Sequence, residues 1–185
     1  MLKIVVLDAC VLYSAPVRDF FLYLAQQKLY EPRWSDQIND EWIRSILKNR
    51  PDLTAKNFDR MRSMMNDTFP RANVTSYEQL SIGLKLPDND DVHVLAAAIK
   101  SNASFIVTFN IKDFPSKELA KHGIKAIHPD DYLTSIIEVS PIIATQAFIT
   151  QVENLNNPPI SAEEILDKFR KTNLQNTATL LENLL

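Results

Sequence analysis

Two continuous apolar, largely β-branched runs, each stopping at a polar side chain, limit the folds open to this chain more than any other feature. Near the start, Leu2-Lys3-Ile4-Val5-Val6-Leu7 runs into Asp8; later, Phe105-Ile106-Val107-Thr108-Phe109 runs into Asn110 and then Asp113. Between them, Leu86-Pro87-Asp88-Asn89-Asp90-Asp91 opens an apolar, helix-like segment over residues 92–99. Strands apolar on both faces belong in a parallel sheet whose two sides are covered by helices. In open α/β sheets, ligands bind outside the carboxyl ends of the strands. Acids at two such ends, with an acid cluster at a helix start, are therefore expected to converge. Carboxylates do not converge without a cation, so the constellation has the chemistry of a divalent-metal site.

Composition removes several alternatives. With only two glycines, Gly83 and Gly123, the chain has neither a dinucleotide fingerprint nor a Walker loop, both of which need glycine where backbone approaches phosphate. The single Cys10 excludes an internal disulfide and a cysteine-based zinc site, and fits a reducing compartment. The first apolar run is cut short by Asp8, unlike a signal peptide. The longest apolar stretch, residues 136–149, is broken by Glu138 and Pro141 and is too short to span a bilayer. A cytoplasmic protein without membrane contact is expected. The net charge of −3 gives no global sign of nucleic-acid binding. Between Arg44 and Arg71, however, seven basic residues face three acidic ones, a local excess of +4. Such a stretch can grip phosphates or form a solvated helix face.

Periodicity predicts helices over residues 16–28, over 36–49 with Ser35 or Asp36 as cap, and from a Thr54 cap towards Phe69. Residues 72–84 leave room for a short strand. Asp88 or Asp90 is expected to cap the next helix, followed by a strand over 104–109, a short helix from Ser116 to a Gly123 C-cap, a strand over 124–127 and a helix over 130–138. This alternation indicates an α/β fold with a mainly parallel sheet. Beyond Pro141 only helices are expected: residues 142–154, then a break at Asn156-Asn157-Pro158-Pro159, then a capping box in Ser161-Ala162-Glu163-Glu164, and a last helix over 177–185. Ile165, Leu166 and Phe169 have core spacing, so this tail reads as a helical appendage packed on the core.

Taken singly, the acids have ordinary explanations. Asp8 can be a turn or cap residue; Asp88, Asp90 and Asp91 suit a helix start; Asn110 and Asp113 can shape a turn. Glu41 lies away from the apolar stripe of Ile38, Trp42, Ile43, Ile46 and Leu47, so periodicity makes it a solvated surface residue. His93, His122 and His128 show no ligand spacing and read as structural. The set of acids favours a phosphodiester hydrolase in which carboxylates hold magnesium or manganese.

Val6-Leu7-Asp8-Ala9-Cys10-Val11-Leu12 resembles the first motif of PIN-domain nucleases. Leu86-Pro87-Asp88-Asn89-Asp90-Asp91-Val92-His93-Val94-Leu95-Ala96-Ala97-Ala98 resembles their third, and Phe105 through Pro115 their fourth. The order and spacing are similar to those of VapC-like toxins, and the final helices to an extension of a longer subgroup. The resemblance implies a three-layer α/β fold with a nuclease domain over residues 1–137 and a helical extension over 138–185. It implies Mg2+- or Mn2+-dependent endoribonuclease activity on RNA, a cognate antitoxin and a homodimer. It assigns Asp8, Glu41, Asp91 and Asp113 as catalytic metal ligands, with Asp90 and Asn110 as secondary candidates and Asp40 as a competitor of Glu41. Basic residues between Arg44 and Arg71 are expected to offset the acidic pocket. Cys10 stands where the family often has asparagine; a thiol is a poor magnesium ligand, which favours a small buried residue under the site. Two rivals remain. A haloacid-dehalogenase phosphatase needs an aspartate where Cys10 stands. A non-catalytic PIN-like module binding RNA or protein would be expected to lack one or more of the acids.

Overall fold

A computed structural model describes residues 2–156 and 158–185. Four short strands form one parallel sheet in the order β2-β1-β3-β4, with β1 Ile4–Leu7, β2 Glu31–Arg33, β3 Phe105–Val107 and β4 Lys125–Ile127. Val5, Val6, Leu7, Ile106 and Val107 are fully buried, as expected of central strands covered on both faces. The predicted strands at residues 104–109 and 124–127 appear as these shorter segments. β2 was not anticipated: Glu-Pro-Arg carries no apolar run. It sits at the sheet edge, where Pro32 lacks only a hydrogen bond that an outer position can forgo.

Ten helices surround the sheet among the described residues: α1 Ala9–Tyr13, α2 Ala15–Gln26, α3 Asp36–Asn49, α4 Lys56–Thr68, α5 Val92–Lys100, α6 Ser116–Ala120, α7 Pro129–Val139, α8 Pro141–Asn154, α9 Ala162–Lys171 and α10 Gln175–Leu184. The predicted first helix lacked α1, a single turn started by the Asp8 cap. Ser35 caps α3, its hydroxyl accepting from the Ile38 N–H at 3.2 Å. The stretch 72–84 contributes one isolated bridge between Trp34 and Asn73 and a 3-10 turn, Glu78–Ser81, rather than a strand of the sheet. The Ser161–Glu164 capping box is present at the start of α9. Of the predicted breaker, Asn157 lies outside the described residues.

The C-terminal helices share the core with the sheet domain. Phe20 of α2 meets Phe148 of α8 edge-on at 5.8 Å and Phe169 of α9 at 5.5 Å. Ile165 and Phe169 are fully buried and Leu166 nearly so, as their spacing predicts. Gln151 reaches from α8 to donate to the Pro16 carbonyl at 2.9 Å. Asp130, buried on α7, accepts from the Thr177 N–H at 2.8 Å, the Thr177 hydroxyl at 2.6 Å and the Asn176 N–H at 3.1 Å. One carboxylate thereby satisfies free donors at the start of α10. No helix among the described residues is by itself long and apolar enough to cross a membrane.

Asp130→Ala should destabilise the fold by about 1–3 kcal/mol, because two backbone N–H groups and a buried hydroxyl lose their acceptor. Urea unfolding followed by circular dichroism measures this. A change within error would mean that α10 does not depend on that carboxylate.

Candidate metal centre

The register Leu7↔Val107 makes Asp8 and Thr108 neighbours at the carboxyl ends of β1 and β3. The Asp8 N–H extends the ladder by one bond, donating to Val107 O at 3.1 Å. Its side chain then turns to cap α1, accepting from the Ala9 N–H at 2.7 Å. Thr108, fully buried, donates its hydroxyl to Asp8 Oδ2 at 2.7 Å and accepts from the Asn110 N–H at 3.0 Å. Cys10 Sγ donates to the same Oδ2 at 3.1 Å and accepts from the Phe109 N–H at 3.3 Å. Cys10 is thus a prop, fastening Asp8 to the loop that carries Asn110. Burial pushes the Asp8 carboxyl above the usual range, against the pull of Thr108, Cys10 and the Ala9 N–H. Burial, with the charge of Asp8 adding to it, also pushes the Cys10 thiol up, so the sulfur stays un-ionised and a poor ligand.

A cavity of about 430 Å³ opens beyond these strand ends, and Asp8, Tyr13, Glu41, Ser45, Asp91 and Asn110 contribute to its lining. It brings Asp8, Glu41, Asp91 and Asn110 together from four separate segments. Asp113, on the 3-10 turn Ile111–Asp113, does not line the cavity, although its charge acts on Asp91. Asp90 is exposed in the turn Asn89–Asp91, which Asp88 caps by accepting from the Asp90 N–H at 2.9 Å. Of the two adjacent aspartates, Asp91 faces the cavity. Asp40 instead pairs with Arg62 at 2.7 Å.

Glu41 is not the solvated residue that periodicity implied. It is half-buried, and its Oε1 lies 2.8 Å from His93 Nε2. This is a close polar contact, while neither ring nitrogen of the buried His93 has a hydrogen-bond partner. Unsatisfied buried polar groups cost about 1–3 kcal/mol each, so a filler of the α5 packing is a poor explanation of this ring. Sequence reasoning read His93 as structural and did not single out Thr108, Tyr13 or Ser45. For Ser45 the signal was available, since it lies one helical turn beyond Glu41 on α3. Tyr13 is tied to the same helix, its hydroxyl accepting from Asn49 Nδ2 at 3.1 Å.

Among the described residues no basic side chain lines the cavity, so any offset supplied by residues 44–71 acts from outside it. Arg50 is paired with Asp52, and Arg62 with Asp36 and Asp40, because long exposed side chains find the nearest acids. With no lysine or arginine facing them, the carboxylates repel. Asp91 is pushed up to about 7, first by burial and then by the charges of Asp8, Asp88 and Asp113. A hard divalent ion relieves this repulsion, and the donors are all oxygen, as magnesium and manganese prefer. Among the described residues, no three carboxylate, histidine or cysteine side chains are gathered closely enough to chelate one ion as they stand. Magnesium keeps several waters and takes one or two carboxylates directly. The donor set fits such an ion by its chemistry and not by its spacing.

Comparison with known proteins agrees with the architecture. A family model described as PIN domain matches residues 4–112, and one described as VapC50 C-terminal domain matches residues 129–183. The chain belongs to the PIN-domain family, with a C-terminal extension of the VapC50 type. A Mycobacterium tuberculosis protein named putative ribonuclease VapC50 is 38% identical over 77 residues, covering 42% of this chain and 46% of that protein. The chain thus spans about half the length of the curated relative it matches. No solved structure matches it.

Between pH 3.8, the ordinary value for the side chain, and about 7, folded metal-free protein holds a proton on Asp91 that the unfolded chain has released. Stability should therefore fall as pH rises through this interval. Thermal unfolding at pH 5 and pH 8 should show this loss in wild type, a smaller loss in Asp91→Asn, and recovery of the wild type at pH 8 on adding Mg2+. Equal pH slopes in the two proteins would remove Asp91 from the acid cluster.

Proposed function

We propose that the protein is a metal-dependent endoribonuclease acting in the cytoplasm as the toxin of a toxin–antitoxin pair. The observation that carries this reading is a single cavity, at the carboxyl ends of parallel strands, lined by Asp8, Glu41 and Asp91 from three different elements. Membership of the PIN family and the relative's printed name support it. Residues 1–137 are the catalytic unit in this reading and 138–185 the extension. A cognate antitoxin and a second copy of the chain are the proposed protein partners.

A bound Mg2+ or Mn2+ would neutralise the phosphodiester and lower the pKa of an attacking water. Asp8 and Asp91 are the central ligands in this proposal, with Glu41 opposite them on α3 and Asp113 acting through its charge or after a movement of its turn. Asp8 needs its props: Thr108, Cys10 and the Ala9 N–H occupy part of both oxygens and leave the remaining lone pairs for the cavity. Asn110, exposed at the rim, offers an amide donor to a phosphate oxygen. Arg44 and Lys48 are exposed on α3, three and seven residues beyond Glu41 and so on the same side of the helix. They are the members of the basic stretch placed to meet an RNA backbone.

Purified protein should cut total RNA into discrete fragments with Mg2+ or Mn2+, and EDTA should abolish this. Asp8→Asn should lower cleavage by at least about 100-fold with the fold retained, as expected when a metal ligand loses its charge. Cleavage by Asp8→Asn at the wild-type rate would overturn the site. Binding of RNA by folded, metal-loaded wild type without any fragment would favour the non-catalytic module.

A further inference from the structure

Packing does not explain the position of the buried histidine beside Glu41. His93 occupies the first turn of α5, two residues after Asp91, and is 6% exposed. Its neighbours Val94 to Ala98 are apolar and buried, as a helix lying on a sheet requires. The ring instead points at α3, where Nε2 approaches Glu41 Oε1 at 2.8 Å. Neither ring nitrogen has a hydrogen-bond partner. A ring nitrogen this near a carboxylate makes a polar contact that ties α5 to α3.

We propose that His93 is a positioning residue for the acidic cavity: it spans α3 and α5 and holds the Glu41 carboxylate towards the cavity that Asp8 and Asp91 also line. The proposal rests on the metal-site reading above. α3 carries Glu41 and α5 follows directly from Asp91, so their separation sets the width of the cavity between those two acids. His93 fixes that separation through a polar contact, which an apolar side chain cannot provide. Glu41 gains a defined orientation without a basic residue having to enter the cavity. Groups that orient metal ligands from outside the coordination sphere typically change metal affinity by about 10–100-fold when removed.

The test compares two amides that differ in reach, using Mn2+ as the probe and calorimetric titration of the full chain. His93→Gln extends an amide to the place of Nε2, whereas His93→Asn stops short of Glu41. Thermal midpoints and circular dichroism are recorded for each. The expected result is Mn2+ binding within about threefold of wild type for His93→Gln and weaker by about tenfold or more for His93→Asn, both folded. His93→Leu supplies the same contrast if the shorter amide fails to fold. Equal affinities in the long and short variants, whether retained or lost, would overturn the positioning role and leave the metal site standing. No Mn2+ binding by folded wild type would overturn the metal site itself, and this inference with it.

Discussion

The parallel pairing of β1 with β3 joins segments 100 residues apart at their Asp8 and Thr108 ends, and the cavity depends on that register. A slip of one residue would turn Asp8 to the opposite side of the sheet and separate it from the Thr108 hydroxyl. The apolar run Val5-Val6-Leu7 prevents this, because its side chains fill both covered faces of the sheet. Long-range order in the core therefore sets a local geometry at the strand ends. There a buried carboxylate is tolerated because backbone N–H, hydroxyl and thiol donors all point at it.

What could be read in advance follows the physics that produced it. β1, β3 and α5 are continuous apolar segments, and their hydrophobic pattern states their burial. The cap at Ser161 is written in four consecutive residues. β2 is held in place by its neighbour, and Glu31-Pro32-Arg33 bears no pattern of its own. Glu41 shows the same limit at the site. Its helix is amphipathic, but periodicity measures distance from the apolar stripe and knows nothing of the cavity on α3's flank; only the motif resemblance singled it out. The choice between Asp90 and Asp91 needed the turn geometry, since adjacent residues in a 3-10 turn face different directions. Net charge over the basic stretch ignores pairing: Arg50 and Arg62 are engaged by nearby acids, while Arg44 and Lys48 are exposed on α3.

The helices after residue 140 are part of the same structure as the sheet. The aromatic contacts of Phe20 with Phe148 and Phe169 replace what would otherwise be an exposed apolar face of α2. The Gln151 amide ties α8 to the start of α2, close behind α1 and the Asp8 cap. The helix behind the Asp8 cap is thereby packed by residues that contribute nothing to the cavity's lining.

The cap formed by Asp130 also orders events in time. A ribosome makes this carboxylate well before its donors at Asn176 and Thr177. Until they emerge, an aspartate on the inward face of α7 keeps its hydration, and α7 cannot bury fully against its neighbours. The nascent chain thus carries its first acidic motif from the outset but lacks the finished core until those later helices arrive. For a chain whose acidic motif comes first and whose core is completed last, such a delay separates synthesis from maturity while the chain is still attached to the machinery that made it.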